Sequence, residues 1–154
     1  ELSVAATNLD ATIDDTVTFA DGAVVAAVAG DKLPAVPEWK VFASAQYSSD
    51  LDFWPGVTGS ARFDYNFVDD SVNGTSASVS LFGASSSPVS VQPSYEIASL
   101  YFYAEPDEGN WSAWIGIDNL FDERPLTFIA PRFGDERGYT IRPREVTFGI
   151  WYGF

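Results

Sequence analysis

The chain has 154 residues, 46% of them apolar and 16% aromatic, and a formal net charge of −14. It contains no histidine, cysteine or methionine, which removes the commonest general base, thiol nucleophiles, disulfides and the usual transition-metal ligands. The acidic balance disfavours nucleic acid and docking on anionic headgroups. No run approaches the roughly 20 apolar residues of a membrane helix, since the most apolar stretch, AVVAAVA, covers only 23–29.

The apolar residues are spread by alternation, and six segments carry a period of two. The first, 2–12, places Leu2, Val4 and Ala6 on one face. The second, 38–48, alternates Trp39, Val41, Ala43, Ala45 and Tyr47 with Lys40, Phe42, Ser44, Gln46 and Ser48. The third, 57–68, sets Val57, Gly59, Ala61, Phe63, Tyr65 and Phe67 against Thr58, Ser60, Arg62, Asp64 and Asn66. The fourth, 95–105, has Ala98, Leu100, Phe102 and Ala104 on one side. The fifth, 110–121, has Trp111, Ala113, Ile115, Ile117 and Phe121. The sixth, 143–154, has Val146, Phe148, Ile150, Tyr152 and Phe154. Each is about the 9–11 residues that a tilted strand needs to cross an outer-membrane hydrocarbon layer.

The connections alternate as well. SDLDFWPG and PDEGN are short and rich in turn residues, whereas 13–37, 69–94 and 122–142 are long. Transmembrane β-barrels show this asymmetry, with short periplasmic turns and long extracellular loops. On that reading Trp54, Trp111, Tyr152 and Phe154 fall at the periplasmic rim. Trp39, Tyr65, Phe67, Tyr95 and Phe121 fall at the outer rim, giving two aromatic girdles. A soluble β-sandwich accounts for the alternation but not for the rims or the loop asymmetry. The beginning, ELSVAATNLD, is no signal peptide, so either one was removed or the chain starts inside a longer one.

Three stretches carry a family resemblance. WSAWIGIDNLFDERP (111–125) resembles the penultimate strand of TonB-dependent outer-membrane receptors, IRPREVTFGIWYGF (141–154) their closing segment and GDKLPAVPEWKVFASAQY (30–47) the Leu-Pro-x-x-Pro entry to an earlier barrel strand, and PSYEIASLYFY (93–103) fits the next-to-last inward strand. The resemblance covers about 30–154. It implies that the whole chain, 1–154, is the C-terminal portion of one domain: about six antiparallel strands of a 22-stranded transmembrane β-barrel in the outer membrane of a Gram-negative cell. The plug domain and earlier strands are not in this sequence. It further implies outer-membrane lipid, the remainder of the receptor, TonB and the barrel-assembly machinery as partners. The implied function is energised uptake of a scarce nutrient such as a ferric siderophore, cobalamin or an oligosaccharide. Thr147, Gly149, Tyr152 and Phe154 match the barrel-assembly signal of such proteins. A small eight-stranded barrel, structural or adhesive, is the alternative. It needs hairpins at 16–29 and 76–92.

No catalytic constellation is present, and the serines at 85–87 lack a histidine partner. No cofactor is implied. Asp10, Asp14, Asp15 and Asp21 match no defined calcium loop and read as a solvated acidic loop, so no metal site is expected. Asn73-Gly74 reads as a turn rather than a sequon. Ligand contacts from the last long loop are expected from Arg124, Arg132, Arg137 and Tyr139, in competition with pairing to Asp122, Asp135 and Glu136. Lys40, Arg62 and Asp64 are expected to face the lumen and to form interior ion pairs or contact the plug.

Overall fold

A computed structural model describes residues 1–19, 24–77, 89–132 and 135–154, with the side chains of residues 19, 24, 129–132 and 135–137 left out. In chain order the strands are β1 (Leu2–Asn8), β2 (Val17–Phe19), β3 (Val24–Ala27), β4 (Trp39–Asp50), β5 (Val57–Val68), β6 (Ser71–Val72), β7 (Val91–Gln92), β8 (Tyr95–Pro106), β9 (Trp111–Asp118), β10 (Leu126–Arg132), β11 (Asp135–Thr140) and β12 (Glu145–Tyr152). The chain is all-β, and no helix occurs among the described residues.

All six predicted strands are present. They form one antiparallel sheet in the order β1-β4-β5-β8-β9-β12. The sheet is open: β1 pairs only with β4, and β12 only with β9. The predicted fifth strand ends early, at Asp118, because Asn119 takes a left-handed conformation (φ 51°) that breaks the pleat. Phe121, expected on the strand, is therefore in the following turn and exposed.

Register is the decisive property of this sheet. Across β1, β4, β5, β8, β9 and β12 the apolar rows fall opposite one another. Val4 faces Ala43, which faces Tyr65, which faces Ala98. Nearer the short turns, Ala61 faces Phe102, which faces Ile115, which faces Phe148. Six separate alternations thus merge into one continuous apolar face. A one-residue slip at any ladder would turn a whole strand over.

Nothing in the described chain covers that face. Leu2, Val4, Tyr47, Phe148 and Ile150 are 73–83% exposed. Among the described residues the buried apolar ones are Ala27, Val57 and Ala98, and no large side chain is fully buried. The chain exposes 10633 Å², against roughly 7,600 Å² for a compact soluble monomer of its mass. A sandwich built by this chain on its own would have a second sheet over the apolar rows. The remaining sheets are instead two-stranded hairpins, β2–β3, β6–β7 and β10–β11.

Those hairpins all lie in the three long connections, at one end of the sheet. The short turns, β4–β5 and β8–β9, lie at the other. The long loops are laced together: Ala35 N–H donates to Val72 O (2.8 Å), Thr75 Oγ1 to Ala26 O (2.7 Å), and Ser76 N–H to Asp31 Oδ2 (3.1 Å). Asp31 also accepts the Val28 N–H at 2.9 Å. These backbone donors, Val28 foremost, hold its carboxyl below the usual carboxylate range. The hairpin proposed at 16–29 exists as β2–β3, but it forms a sheet of its own. Most of the one proposed at 76–92 lies outside the described residues.

A chain with this much uncovered apolar surface should aggregate in detergent-free buffer and disperse in detergent micelles. Size-exclusion chromatography checks this, and a folded monomer in buffer alone would contradict it.

Candidate functional site

Two stretches singled out in the sequence, DNLFDERP (118–125) and RPRE (142–145), bind each other. Asn119 leaves β9 in the left-handed region and is only 4% exposed. Its Oδ1 accepts the Glu123 N–H (2.9 Å), and its Nδ2 donates to Glu123 O (2.8 Å) and Arg142 O (3.0 Å). Asp122, also left-handed (φ 55°), accepts the Arg144 N–H at 2.9 Å, and Arg144 Nη1 returns a bond to Leu120 O at 3.3 Å. Leu120 N–H donates to Ala98 O on β8. One polar knot thus ties the end of β9 to β8 and to the lead into β12. Asn and Asp serve here because their short polar side chains tolerate φ > 0 and reach nearby backbone. The Arg144 N–H, and then the Arg124 charge, hold the Asp122 carboxyl below its ordinary range.

The arginines expected to grip an anion are placed as follows. Arg124 pairs with Asp122 at 3.4 Å on the surface, as the competing reading expects. Arg132 and Arg137 lie on the β10–β11 hairpin, paired through the backbone with Asp135 and Ala130. Their side chains are outside the description. Tyr139 is 57% exposed, with its ring 6.1 Å from that of Phe128. The sequence missed this hairpin because Pro131, Gly138 and a charged run weaken its alternation.

On the polar face of the sheet, Arg62 and Asp64 form an ion pair at 3.0 Å. Asp64 also accepts from Ser44 Oγ (2.7 Å), the Arg62 guanidinium lies 4.9 Å from the centre of the Tyr101 ring, and Tyr101 donates to Asp118. Four neighbouring strands, β4, β5, β8 and β9, are joined in this way. Sequence reasoning found Arg62 and Asp64 but not Tyr101 or Asp118, because cross-strand neighbours appear only once register is known. Lys40 lies on the same face, and no ion pair is found for it among the described residues.

The four residues of the assembly-signal pattern lie on β12 and just beyond it. Tyr152 and Phe154 make an edge-to-face pair (5.4 Å) at the short-turn end. Trp54 and Trp111 stack there as well (5.3 Å), so four aromatic side chains gather at that end. Gly149 has a packing role of its own. A Cβ there would lie 2.5 Å from Trp114 Nε1, because the indole rests on the glycine backbone. Tyr101 covers Gly116 in the same manner, with 2.8 Å to a hypothetical Cβ, and Thr147 Oγ1 lies against it from β12.

Among the described residues no group of three or more acidic side chains is arranged to hold a metal ion. Asp21 lies outside the described residues, as do the serines at 85–87. No protein-family model, curated protein or solved structure matches the chain.

Replacing Asn119 by Ala should cost about 2 kcal/mol or more in denaturant unfolding, since it strands buried backbone partners. Asn119→Asp should be nearly as damaging, because it keeps the acceptor and loses both donors. Asp122 adds a pH signature. Its folded pKa is depressed, so its contribution is present above the unfolded value of about 4 and is lost as pH falls through the folded one. Asp122→Ala should therefore remove part of the acid dependence of stability below about pH 4. Unchanged acid unfolding in that variant would contradict the assignment.

Proposed function

We propose that the six-stranded sheet is an arc of the wall of a larger outer-membrane β-barrel, of the TonB-dependent receptor kind. The whole protein then takes up a scarce nutrient (a ferric siderophore, cobalamin or an oligosaccharide) using energy delivered through TonB. One observation carries this reading: the apolar rows of six strands are in phase on one uncovered face, and both sheet edges are unpaired.

In hydrocarbon each unsatisfied backbone group costs several kcal/mol, so an open sheet must be closed by further strands. Six are too few to close a membrane barrel, for which about eight is the minimum. In this reading the rest of the polypeptide supplies the other strands and the plug. The length also suits a membrane. Twelve residues in β5 at about 3.3 Å each span roughly 40 Å, or about 28 Å when tilted by 45°, close to the ~25 Å apolar band of such barrels. The alternative eight-stranded barrel is less favoured, because β2–β3, the hairpin it needs within 16–29, stands apart from the main sheet.

The roles then follow by position. The apolar face meets lipid, while Lys40, Arg62 and Asp64 face the lumen. The laced long loops form part of the extracellular surface, where Arg132, Arg137 and Tyr139 are the ligand-contact candidates and Arg124 is held by Asp122. Thr147, Gly149, Tyr152 and Phe154 serve the barrel-assembly machinery as well as the packing of the last strand. The protein makes and breaks no bond.

An arginine at Ile115, central on the apolar face, should cost about 2–4 kcal/mol in folding into lipid vesicles. Asn66→Arg on the opposite face should cost little. Equal penalties on the two faces would sink the reading. For transport, Gram-negative cells lacking the protein should lose TonB-dependent growth on one scarce nutrient, and uptake that persists without TonB would overturn that part.

A further inference from the structure

On the polar face just beneath the long loops lies a cavity of about 220 Å³. It sits between the adjoining ends of β4, β5 and β8, the β6–β7 hairpin and β10, with Lys40, Asp69, Gln92 and Thr127 among its polar lining. Three of these side chains have unspent bonding capacity. Gln92 is 5% exposed and its Nε2 meets no acceptor, an unusual state for a buried amide. The terminal amide torsion is soft, so the group can present a donor to the cavity. Lys40 enters no ion pair among the described residues. Asp69 accepts the neighbouring Asp70 N–H on Oδ1 (2.9 Å), which leaves its other oxygen available.

We infer that this cavity binds a small zwitterion of the amino-acid kind, with its carboxylate toward Lys40 and Gln92 and its ammonium toward Asp69. The charges decide the class. Among the described residues one cation and one anion line the space, so a simple carboxylate meets repulsion from Asp69, and a simple amine meets repulsion from Lys40. A ligand carrying both groups satisfies both and also supplies the acceptor that Gln92 lacks. The volume suits a molecule of amino-acid size and excludes a macrocycle. Because Thr127 belongs to the last long loop, an occupant also links that loop to the sheet. The inference goes beyond the transport reading and requires only that the polar face be wet.

The test is equilibrium dialysis of radiolabelled alanine against the natural full-length polypeptide in detergent micelles, with propionate and ethylamine as competitors. Saturable binding is expected, with each competitor roughly tenfold weaker or worse. Lys40→Gln should lose roughly tenfold in affinity, and Gln92→Leu several-fold. Asp69→Asn should bring propionate level with alanine. Lys32→Gln, in the first long loop and outside the cavity lining, should change nothing. The Lys40 side chain makes no ion pair among the described residues, and a glutamine keeps its backbone pairing with Thr7 and Val68, so the fold stays intact. Absence of saturable alanine binding would overturn the inference, as would full binding in Lys40→Gln or a preference for either half-ligand. The assay uses neither bilayer nor energy source, so such a failure leaves the barrel reading standing.

Discussion

The ladders from β4 to β12 hold Ala45 opposite Phe63, Phe63 opposite Leu100, Leu100 opposite Ile117 and Ile117 opposite Val146. Everything else in the molecule depends on that shared register. Backbone hydrogen bonding fixes it along each pair, and the period of two converts it into two chemically distinct faces. One face has no partner among the described residues, and the other gathers the polar side chains into cross-strand networks. A soluble protein would close such a face against a second layer. Here the long connections spend their residues on hairpins at one end, leaving the apolar rows open.

The polar knot around Asn119 and Asp122 serves the same register. Long loops cost closure entropy, and a 26-residue excursion separates β9 from β12. Bonds from Asn119 to Arg142 O and from Asp122 to Arg144 N–H fix where the chain returns to the sheet, before β12 begins to pair. The trade is conformational strain at two left-handed residues against correct alignment of the last strand. It also explains why DNLFD and RPR are informative together: each supplies groups that the other needs. Gly149 and Gly116 add a second lock, since Trp114 and Tyr101 lie across them and tie neighbouring strands on the polar side.

Five of the six long strands were legible in the sequence because alternation over eight or more residues is a strong local signal, whereas β1, with seven residues, is the weakest of the six. The short turns account for two of the five adjacencies in the sheet, and the other three cross the long connections. What stayed hidden was non-local or weakly patterned. The β10–β11 hairpin contains Pro131 and Gly138 and alternates poorly. The early end of β9 depends on a left-handed Asn119, which no periodicity reveals. The Tyr101–Asp118 bond requires knowing that β8 and β9 pair. The pairing of Arg124 with Asp122 was foreseen, because the two lie two residues apart.

The central claim is that the even-numbered residues of β12 face hydrocarbon while the odd-numbered ones do not. Nitroxide labels placed singly at positions 145 to 151 of the full-length protein in lipid vesicles test it directly. The account predicts that 146, 148 and 150 are relaxed strongly by oxygen and weakly by a water-soluble nickel chelate, with low oxygen accessibility at 145, 147, 149 and 151. A uniform response along the strand, or high chelate access at 148 and 150, would contradict it.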